Sequence, residues 1–535
     1  MPTLEIDGQS VTVEDGLNVI QAAERIGIEV PHYCYHPALT IAGNCRMCLV
    51  EIEKAPKLQI ACNTRVAEGM VVRTHTDRVK NAHAAVLEFL LINHPIDCPI
   101  CDQAGECKLQ DYYMDYDRQP SRFPLEHKVR KHKALDIGPL VMLDQERCIL
   151  CTRCTRFLEE VTKTTELGVF ERGDRCQIDL FPGRRLENLY SGNVVDICPV
   201  GALTNKEFRF RARVWYLDHT PSVCATCATG CNIDIHHRRA EMFRWRPRHN
   251  AAVNQYWMCD EGRMSYKRYQ GEGRLLQPVV RDGDGWATRT WEATRRDVVT
   301  RLREILGAHG AGAIAGIASA QATNEELFLF ERLLRESLQG RTAGISWSPP
   351  DASHDDFLID RDKNPNSAGL RLLLSADGDS EALLGAVERG DIRALLLLRA
   401  DLVASHGDEV LTRIGEQLDY VVVLDTHYGP SAEIADVLLP IASFAETDGT
   451  FVNRGARVQR VREAIRPPGQ ARAGWLVLSQ LGADLSRHAV PADANAVFTE
   501  LAAVHAPFRH MSYAAVGDQG APIDAGNATT ASVGG

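Results

Sequence analysis

The sequence lacks any apolar stretch long enough to cross a membrane. Its longest apolar runs, AAVLEFLLI at 84–92 and ALLLL at 394–398, fall far short of the roughly 18 residues that a membrane-spanning helix needs. The start of the chain has neither the basic and apolar regions of a secretory signal nor the composition of a transit peptide. We therefore expect a protein that is not exported and that reaches a membrane only through partners.

The sequence also lacks an excess of positive charge. Its 60 Lys and Arg residues are outnumbered by 71 Asp and Glu residues, which gives a formal net charge of −11. This balance argues against a nucleic-acid-binding surface. One basic run, HHRRAEMFRWRPRH at 236–249, indicates either a docking face or, as the default interpretation, a solvated surface.

Cysteine is absent after Cys259, although 16 cysteines precede it. In a protein that is not exported, such thiols bind metals more often than they form disulfides. All but Cys176, for which we expect structural burial, fall with one histidine into four groups. These are Cys34, Cys45, Cys48 and Cys62; His94, Cys98, Cys101 and Cys107; Cys148, Cys151, Cys154 and Cys198; and Cys224, Cys227, Cys231 and Cys259. Four sets of four soft ligands predict four iron–sulfur clusters.

The spacing within each group indicates the kind of cluster. The long–short–long spacing of the first group is typical of a 2Fe–2S site, with Gly43 allowing close approach of the backbone. The second group has only three cysteines, so His94 is the expected fourth ligand of a 4Fe–4S cluster. A neutral imidazole in place of a thiolate should favour reduction.

The third group is a CxxCxxC run with a remote fourth ligand at Cys198, and it predicts one 4Fe–4S cluster. Three nearby arginines, Arg147, Arg153 and Arg156, either offset the charge of that cluster or lie on a solvated surface. The fourth group favours a further 4Fe–4S cluster, with zinc as the serious alternative because CxxC pairs serve both metals.

The hydrophobic pattern predicts a multidomain protein of α+β and α/β character. Residues 1–75 contain a hairpin around Asp7–Gly8, a helix at 17–27 that ends at Gly27, and strands at 48–53, 58–64 and 70–74. Strands packed on one helix beside a metal loop describe a plant-ferredoxin-like β-grasp. A capped helix follows at 76–94, with His94 in its last turn before Pro95, and residues 115–140 resemble a connecting loop with a hairpin.

The chain after Cys259 has a different texture. Apolar runs at 311–319, 370–377, 392–401 and 419–427 read as buried parallel strands. A helix between the first two begins with a capping box formed by Thr323 and Glu326. This alternation predicts a doubly wound α/β domain, followed by a disordered tail from about residue 513.

These groups, in this order, resemble the large iron–sulfur subunit of NADH:quinone oxidoreductase, respiratory complex I, which in bacteria is its G subunit. The motifs that carry the resemblance are HPIDCPICDQAGECKLQD, CILCTRC and DICPVGAL in the first half and TNEELFL, IADVLLP and FAETDGTFVNRGARVQ in the second. The resemblance implies a 2Fe–2S cluster on the first group and 4Fe–4S clusters on the other three. It also implies that the first three lie on or near the electron path, and that the fourth, present in some bacterial members, is structural or vestigial.

The resemblance divides the chain into six expected parts. They are a 2Fe–2S ferredoxin-like domain at 1–78, a 4Fe–4S domain with one histidine and three cysteine ligands at 79–118, a 4Fe–4S ferredoxin-like domain at 119–215, a 4Fe–4S domain of molybdopterin-oxidoreductase type at 216–275, a reduced molybdopterin-oxidoreductase-like α/β domain at 276–485, and a C-terminal helix and tail at 486–535. No thiol after Cys259 remains to ligate molybdenum, and the glycine-rich stretch 307–316 does not follow a strand as a phosphate loop requires. We therefore expect no molybdopterin.

The resemblance implies a subunit without its own substrate site in a respiratory-chain oxidoreductase and translocase. It would relay electrons from a flavin- and NADH-binding partner towards quinone, through a thioredoxin-like 2Fe–2S subunit, a two-cluster ferredoxin-like subunit and quinone-module subunits. The expected location is peripheral, on the cytoplasmic side of a bacterial inner membrane. The alternatives are the iron–sulfur subunit of an NAD-linked formate dehydrogenase or hydrogenase and, as a non-redox protein, a zinc-stabilised assembly scaffold.

Overall fold

The computed structural model describes residues 1–117, 121–374 and 380–523. It divides the chain into two compact units, Met1–Leu217 and Asp218–Gly535. Across the described residues, every helix is too short or too polar to span a bilayer.

The first unit is built from short strands and helices joined by long loops. In chain order they are β1 Thr3–Ile6, β2 Gln9–Thr12, α1 Val19–Glu24, β3 Leu49–Ile52, β4 Gln59–Ile60, β5 Val71–Arg73, α2 Asp77–Leu91, α3 Lys108–Tyr116, β6 Leu135–Asp136, β7 Val141–Leu143, α4 Arg153–Phe157, β8 Leu167–Phe170, β9 Gln177–Leu180, α5 Asn193–Asp196 and β10 Leu203–Asn205.

The first five strands form one sheet in the order β2-β1-β5-β3-β4. The predicted hairpin is confirmed: β1 and β2 pair antiparallel around Asp7 and Gly8, whose φ angles of 47° and 83° suit the tight turn. Helix α1 begins with a capping box on Asn18 and packs Ile20 and Ala23 into the same core as the sheet. The alternating pattern of the strands therefore produces a sheet with one buried face.

Helix α2 begins at the predicted cap, because Thr76 accepts a hydrogen bond from Val79 N. It ends at Leu91, however, so the placement of His94 in its last turn was wrong. His94 lies in the extended segment before Pro95. A residue before proline is disfavoured in the helical region, and this explains why the helix stops early. The predicted hairpin in 115–140 is formed by β6 and β7, while 118–120 lie outside the described residues.

The second unit has more regular structure. In chain order it contains β11 Asp218–Val223, β12 Asn232–Arg238, β13 Glu241–Pro247, α6 Asp260–Met264, α7 Tyr266–Gln270, β14 Val279–Asp282, β15 Gly285–Thr288, α8 Trp291–His309, β16 Ile314–Ser319, α9 Asn324–Arg332, β17 Arg341–Ile345, α10 Ser367–Leu373, α11 Ser380–Glu388, β18 Ala394–Leu398, α12 Leu402–His406, α13 Val410–Gly415, β19 Tyr420–Asp425, β20 Val437–Pro440, β21 Gly449–Val452, β22 Arg457–Val461, α14 Gly474–Ser486, α15 Ala494–Val504, α16 Tyr513–Val516 and β23 Ala521–Pro522.

A seven-stranded sheet, in the order β15-β14-β20-β19-β18-β16-β17, forms the centre of this unit. The five strands from β20 to β17 run parallel. Side chains of β18 alternate between two hydrophobic cores: Leu396 and Leu398 face one, and Leu395 and Leu397 face the other. The sheet is therefore covered on both faces, as continuous apolar strands require.

Two predictions for this unit were wrong. The run at 370–377 was expected to be a strand, but α10 occupies Ser367–Leu373, and 375–377 lie outside the described residues. Short apolar runs do not distinguish a strand from a buried helix, and two expected positions in the sheet are instead taken by β17 and β20. The tail expected to be disordered from 513 contains α16 and β23, and 524–535 lie outside the described residues. The capping box of Thr323 and Glu326 on α9 is confirmed.

Candidate iron–sulfur sites

The first group lies in the loop between α1 and β3 and in the turn after β4. Cys34 N donates a hydrogen bond to Cys45 Sγ at 3.4 Å. Hydrogen bonding to Cys45 lowers the pKa of the Cys34 thiol to about 5 and raises the pKa of Cys45. Cys48 and Cys62 form a second bonded couple, in which the pKa of Cys48 is raised and that of Cys62 is lowered. The four thiols are thus gathered as two couples, each with one sulfur that ionises readily.

The second group encloses a cavity of about 120 Å³, lined by His94, Cys98, Cys101 and Cys107 together with apolar neighbours. His94 Nδ1 is buried and has no hydrogen-bond partner. Burial also lowers the pKa of His94 to about 4, so the ring is neutral at neutral pH. Neutral imidazole is the form that binds metals, so an unpartnered ring beside three thiols fits a cluster with one histidine ligand.

Gly201 shapes this cavity from outside the group. A Cβ atom on Gly201 would lie 2.2 Å from Cys101 Sγ, and therefore only glycine fits there. The adjacent loop is fixed by a hydrogen bond of 3.0 Å from Lys108 N to Pro199 O. Sequence reasoning missed Gly201, and its position three residues after Cys198 was the only indication.

The third group also lines a single cavity, of about 20 Å³. The backbone of its CxxCxxC run takes a left-handed conformation at Leu150 and Thr152, with φ angles of 54° and 60°. This winding turns Leu150 N towards Cys148 Sγ at 3.4 Å. Burial raises the pKa of Cys148 to about 12 and that of Cys151 to about 11. Thiolates in this apolar setting require a positive partner, as a metal provides.

One hydrophobic core receives ligands from all three of these groups. Its buried members include Cys34, Cys107 and Cys151, and Cys45, Cys148 and Cys198 pack against it. Tyr33 and Tyr112 lie in the same core with their ring centroids 5.4 Å apart. The three groups, spread over more than 160 residues of sequence, are therefore neighbours in space.

The fourth group lies within the second unit, and all four of its cysteines are buried. Cys224 N donates to Cys231 O at 2.9 Å, which closes the CxxCxxxC loop. Gly262 N donates to Cys259 Sγ at 3.3 Å, and a Cβ on Gly262 would meet Cys224 Sγ at 3.1 Å. Burial raises the pKa of Cys224 to about 11. The loop and the remote ligand thus meet at a glycine, as a shared cluster would require.

Two predictions about neighbouring residues need correction. Cys176 is half-buried rather than buried, and its carbonyl accepts a hydrogen bond from Lys131 Nζ. Arg147 and Arg156 are only 4% and 9% exposed, so a solvated surface is wrong for both. The basic run at 236–249 is solvated only in part, since its His236 and Trp245 are buried.

All 16 cysteines are free thiols. Among the described residues, no three His, Cys, Asp or Glu side chains converge closely enough for one metal ion. A single ion bound by thiolates about 2.3 Å away draws its ligands into one tight shell, whereas a cluster divides them among several irons.

Comparison with known proteins identifies the family. The mitochondrial NADH-ubiquinone oxidoreductase 78 kDa subunit of Candida albicans is 33% identical over 89% of this chain and 81% of that protein. The chain belongs to this family of large iron–sulfur subunits of NADH–quinone oxidoreductase. The NADH-quinone oxidoreductase G subunit of Rickettsia bellii is 41% identical over 63% of this chain, and the 75 kDa subunit of Reclinomonas americana is 43% identical over the same share. The chain spans about half the length of these two relatives, since the alignments cover 48% of each.

Family models assign the character of this family to the cysteine groups. They are a 2Fe-2S iron-sulfur cluster binding domain at 1–77, an NADH-ubiquinone oxidoreductase-G iron-sulfur binding region at 84–122, a ferredoxin-like domain of NADH-quinone oxidoreductase subunit 3 at 138–204, a molybdopterin oxidoreductase Fe4S4 domain at 217–271 and a molybdopterin oxidoreductase domain at 363–484. The predicted family and its role as an iron–sulfur electron-transfer subunit are confirmed, as is the mixture of 2Fe–2S, 4Fe–4S and molybdopterin-oxidoreductase domains.

A solved structure of an NAD+-reducing NiFe-hydrogenase in the H2-reduced state is also similar. It is 28% identical and covers 40% of this chain and 91% of that chain, with a TM-score of 0.36. The large iron–sulfur subunit of NADH–quinone oxidoreductase remains a better description of this chain than the hydrogenase alternative.

Proposed function

We propose that this chain carries one 2Fe–2S cluster and three 4Fe–4S clusters in an NADH–quinone oxidoreductase. The 2Fe–2S ligands are Cys34, Cys45, Cys48 and Cys62, and the 4Fe–4S ligands are the His94, Cys148 and Cys224 groups. When bound, the clusters supply one-electron redox chemistry. The chain itself supplies the thiolates, the neutral imidazole of His94, and an apolar surrounding that excludes water.

The observation that carries this proposal is the shared core of the first three groups. Electron transfer between fixed sites needs short separations and little reorganisation of the surroundings. Ligands that pack in one close-packed core satisfy both requirements, because such interiors are dense and rigid. A scaffold that used its cysteines only for separate structural metals would have no need to gather them.

The contacts between groups support an order that differs from the order in sequence. Arg156 joins the first group to the third, because its guanidinium donates to Cys34 O at 2.5 Å and to Cys151 O at 3.3 Å. Gly201 and the bond from Lys108 to Pro199 join the third group to the second. We infer that electrons enter at the Cys34 group, pass the Cys148 group and leave at the His94 group.

The same proposal assigns partners and location. Exposed Ile96, Ile100 and Met114 lie near the His94 cavity and suit an exit towards a two-cluster ferredoxin-like partner. Electrons would enter from the flavin- and NADH-binding partner and its thioredoxin-like 2Fe–2S subunit, and would finally reach the quinone module. The complex would act as a translocase, with this subunit peripheral on the cytoplasmic side of a bacterial inner membrane.

The six parts predicted from the sequence remain our proposed domains, with a β-grasp at the start and a doubly wound α/β domain at 276–485. We propose that the α/β domain serves as a scaffold without molybdopterin. A cavity of about 440 Å³ lies at the carboxyl ends of its strands, where ligands bind in open α/β sheets. Two of its cations are already paired, Lys363 with Glu261 at 2.8 Å and Arg399 with Glu326 at 2.7 Å. These pairs fit a phosphate-bearing cofactor poorly.

Metal analysis and spectroscopy of the full chain, purified without oxygen, test the proposal. We expect about 14 iron atoms per chain and no molybdenum. Titration with NADH in the presence of the flavin-bearing partner should produce one 2Fe–2S and several 4Fe–4S electron-paramagnetic signals. A colourless, zinc-loaded protein would establish the assembly-scaffold alternative instead, and one molybdenum per chain would overturn the scaffold role of the α/β domain.

A further inference from the structure

Arg156 is buried between the first and third groups. Besides Cys34 O and Cys151 O, its guanidinium donates to Thr40 O and to Thr152 O, the last at 3.2 Å. These acceptors are backbone carbonyls of two loops, and each loop carries cluster ligands. Arg156 thus holds both ligand loops with one side chain that is only 9% exposed.

Arg153, one turn earlier on α4, makes a similar bridge. Its guanidinium donates to Ile197 O at 3.1 Å, beside Cys198, and to Tyr35 O, beside Cys34. Its Nε atom is buried and has no hydrogen-bond partner. The nearest thiols come from both groups, and four of them interact with its charge: Cys34, Cys45, Cys151 and Cys198.

Neither guanidinium forms an ion pair with a carboxylate of the described residues. A nearby arginine shows the usual alternative: Arg147 is equally buried, but Asp97 binds it through two hydrogen bonds of 2.9 and 2.6 Å. Burying a cation without an anion is strongly unfavourable. The missing negative charge at Arg153 and Arg156 must therefore come from something else at this place, and the only candidates are the two thiol groups.

We propose that Arg153 and Arg156 are a shared counter-charge for the clusters of the first and third groups and raise the reduction potentials of both. This inference rests on the proposed function. A fixed positive charge in a poorly solvated site favours the more negative, reduced state of each cluster. Because both arginines contact both loops, they keep the two potentials matched. The unpartnered Nε of Arg153 is the natural donor to a sulfur of one site.

The test is a redox titration of the full chain, purified without oxygen and followed by electron-paramagnetic resonance. Arg153→Gln and Arg156→Gln remove the charge and keep much of the side-chain length. At a fixed potential, each should lower the ratio of reduced to oxidised cluster at least tenfold at the first and third groups, which corresponds to about 59 mV for a one-electron step. The signal of the His94 group should change much less.

Arg46→Gln is the matched control. Arg46 adjoins Cys45 but is exposed, so solvent screens its charge and its removal should leave the potentials nearly unchanged. Equal shifts in Arg46→Gln, or wild-type potentials in both buried variants, would overturn the proposal.

Arg153→Lys and Arg156→Lys cover the case in which the Gln variants lose their clusters. Clusters retained at nearly wild-type potentials in the Lys variants would support the charge as the required feature. Loss of clusters in both Lys and Gln variants would contradict it and assign the arginines a packing role. If the wild-type chain itself shows neither the first nor the third cluster, the proposed function fails instead.

Discussion

Cys34, Cys107 and Cys151 pack in one core although they come from three separate segments of the first unit. The fourth group differs, because its ligands come from one short loop, Cys224 to Cys231, and from Cys259. That loop is held by its own unit, through bonds such as Ala228 N to Asp362 O at 2.9 Å and Arg454 N to Ala228 O at 2.7 Å. The first three sites depend on one another for their surroundings, whereas the fourth is built independently of them.

The charges around the sites differ in the same way. Arginines that lack carboxylate partners lie between the first and third groups, whereas the fourth group is fixed by hydroxyl groups: Cys224 Sγ lies 3.3 Å from Thr226 Oγ1, which donates to Ser265 Oγ at 2.9 Å. Buried positive charge adjusts a potential, and neutral hydrogen bonds mainly hold a loop. The comparison teaches that sites used for transfer share walls and charges, and that a structural site has its own.

The largest effect is expected from Cys154→Ser, which removes a buried ligand of the central group. The variant should lose about four iron atoms per chain, and NADH–quinone turnover of the assembled complex should fall about 100-fold or more. Iron analysis and turnover measure both. Cys176→Ser, the cysteine outside the groups, is the control and should keep iron and turnover. Normal turnover in Cys154→Ser would break the comparison.

Gly201→Ala should disturb two sites at once. The added Cβ would lie 2.2 Å from Cys101 Sγ, so the loop after Cys198 must move, at a cost of about 1–3 kcal/mol in the free energy of unfolding. We expect a lower melting temperature and altered signals from both the second and third clusters. Gly307→Ala, on the exposed side of α8 with nothing within 4 Å, should be neutral. Unchanged spectra in Gly201→Ala would show that the two loops are not rigidly joined.

His94→Cys should sharpen the distinction within the first unit. A thiolate adds one negative charge to the second cluster, which should lower its reduction potential by about 60 mV or more. The clusters of the first and third groups should keep their potentials. A redox titration measures all three, and His94→Ala, which should lose the second cluster, is the reference. An unchanged signal and iron content in His94→Ala would remove His94 from the ligands.

The smallest effect on turnover is expected from Cys231→Ser. This variant should lose about four iron atoms per chain and melt at a lower temperature, because a buried site of the second unit is lost. Turnover should stay unchanged, since we place the fourth group off the electron path. A fall in turnover comparable to that of Cys154→Ser would make the fourth group a link in the path.

The sequence predicted features that depend on neighbours in the chain. The turn at Asp7–Gly8, the capping box at Thr323 and the composition of the four groups are all local patterns. It misassigned 370–377, because an apolar run has the same composition in a strand and in a buried helix. It also missed Gly201 and left the role of the arginines open, because their contacts lie 100 or more residues away in the chain, as between Arg156 and Cys34.

The sequence by itself determined which residues are candidate ligands, since ligand spacing reflects how a short loop wraps a metal. Only the tertiary structure decided which groups face one another. It placed the Cys148 group between the other two, although that group comes third in the chain. The physical reason is that packing one apolar core brings together loops from distant segments, and no local pattern records which loops will meet.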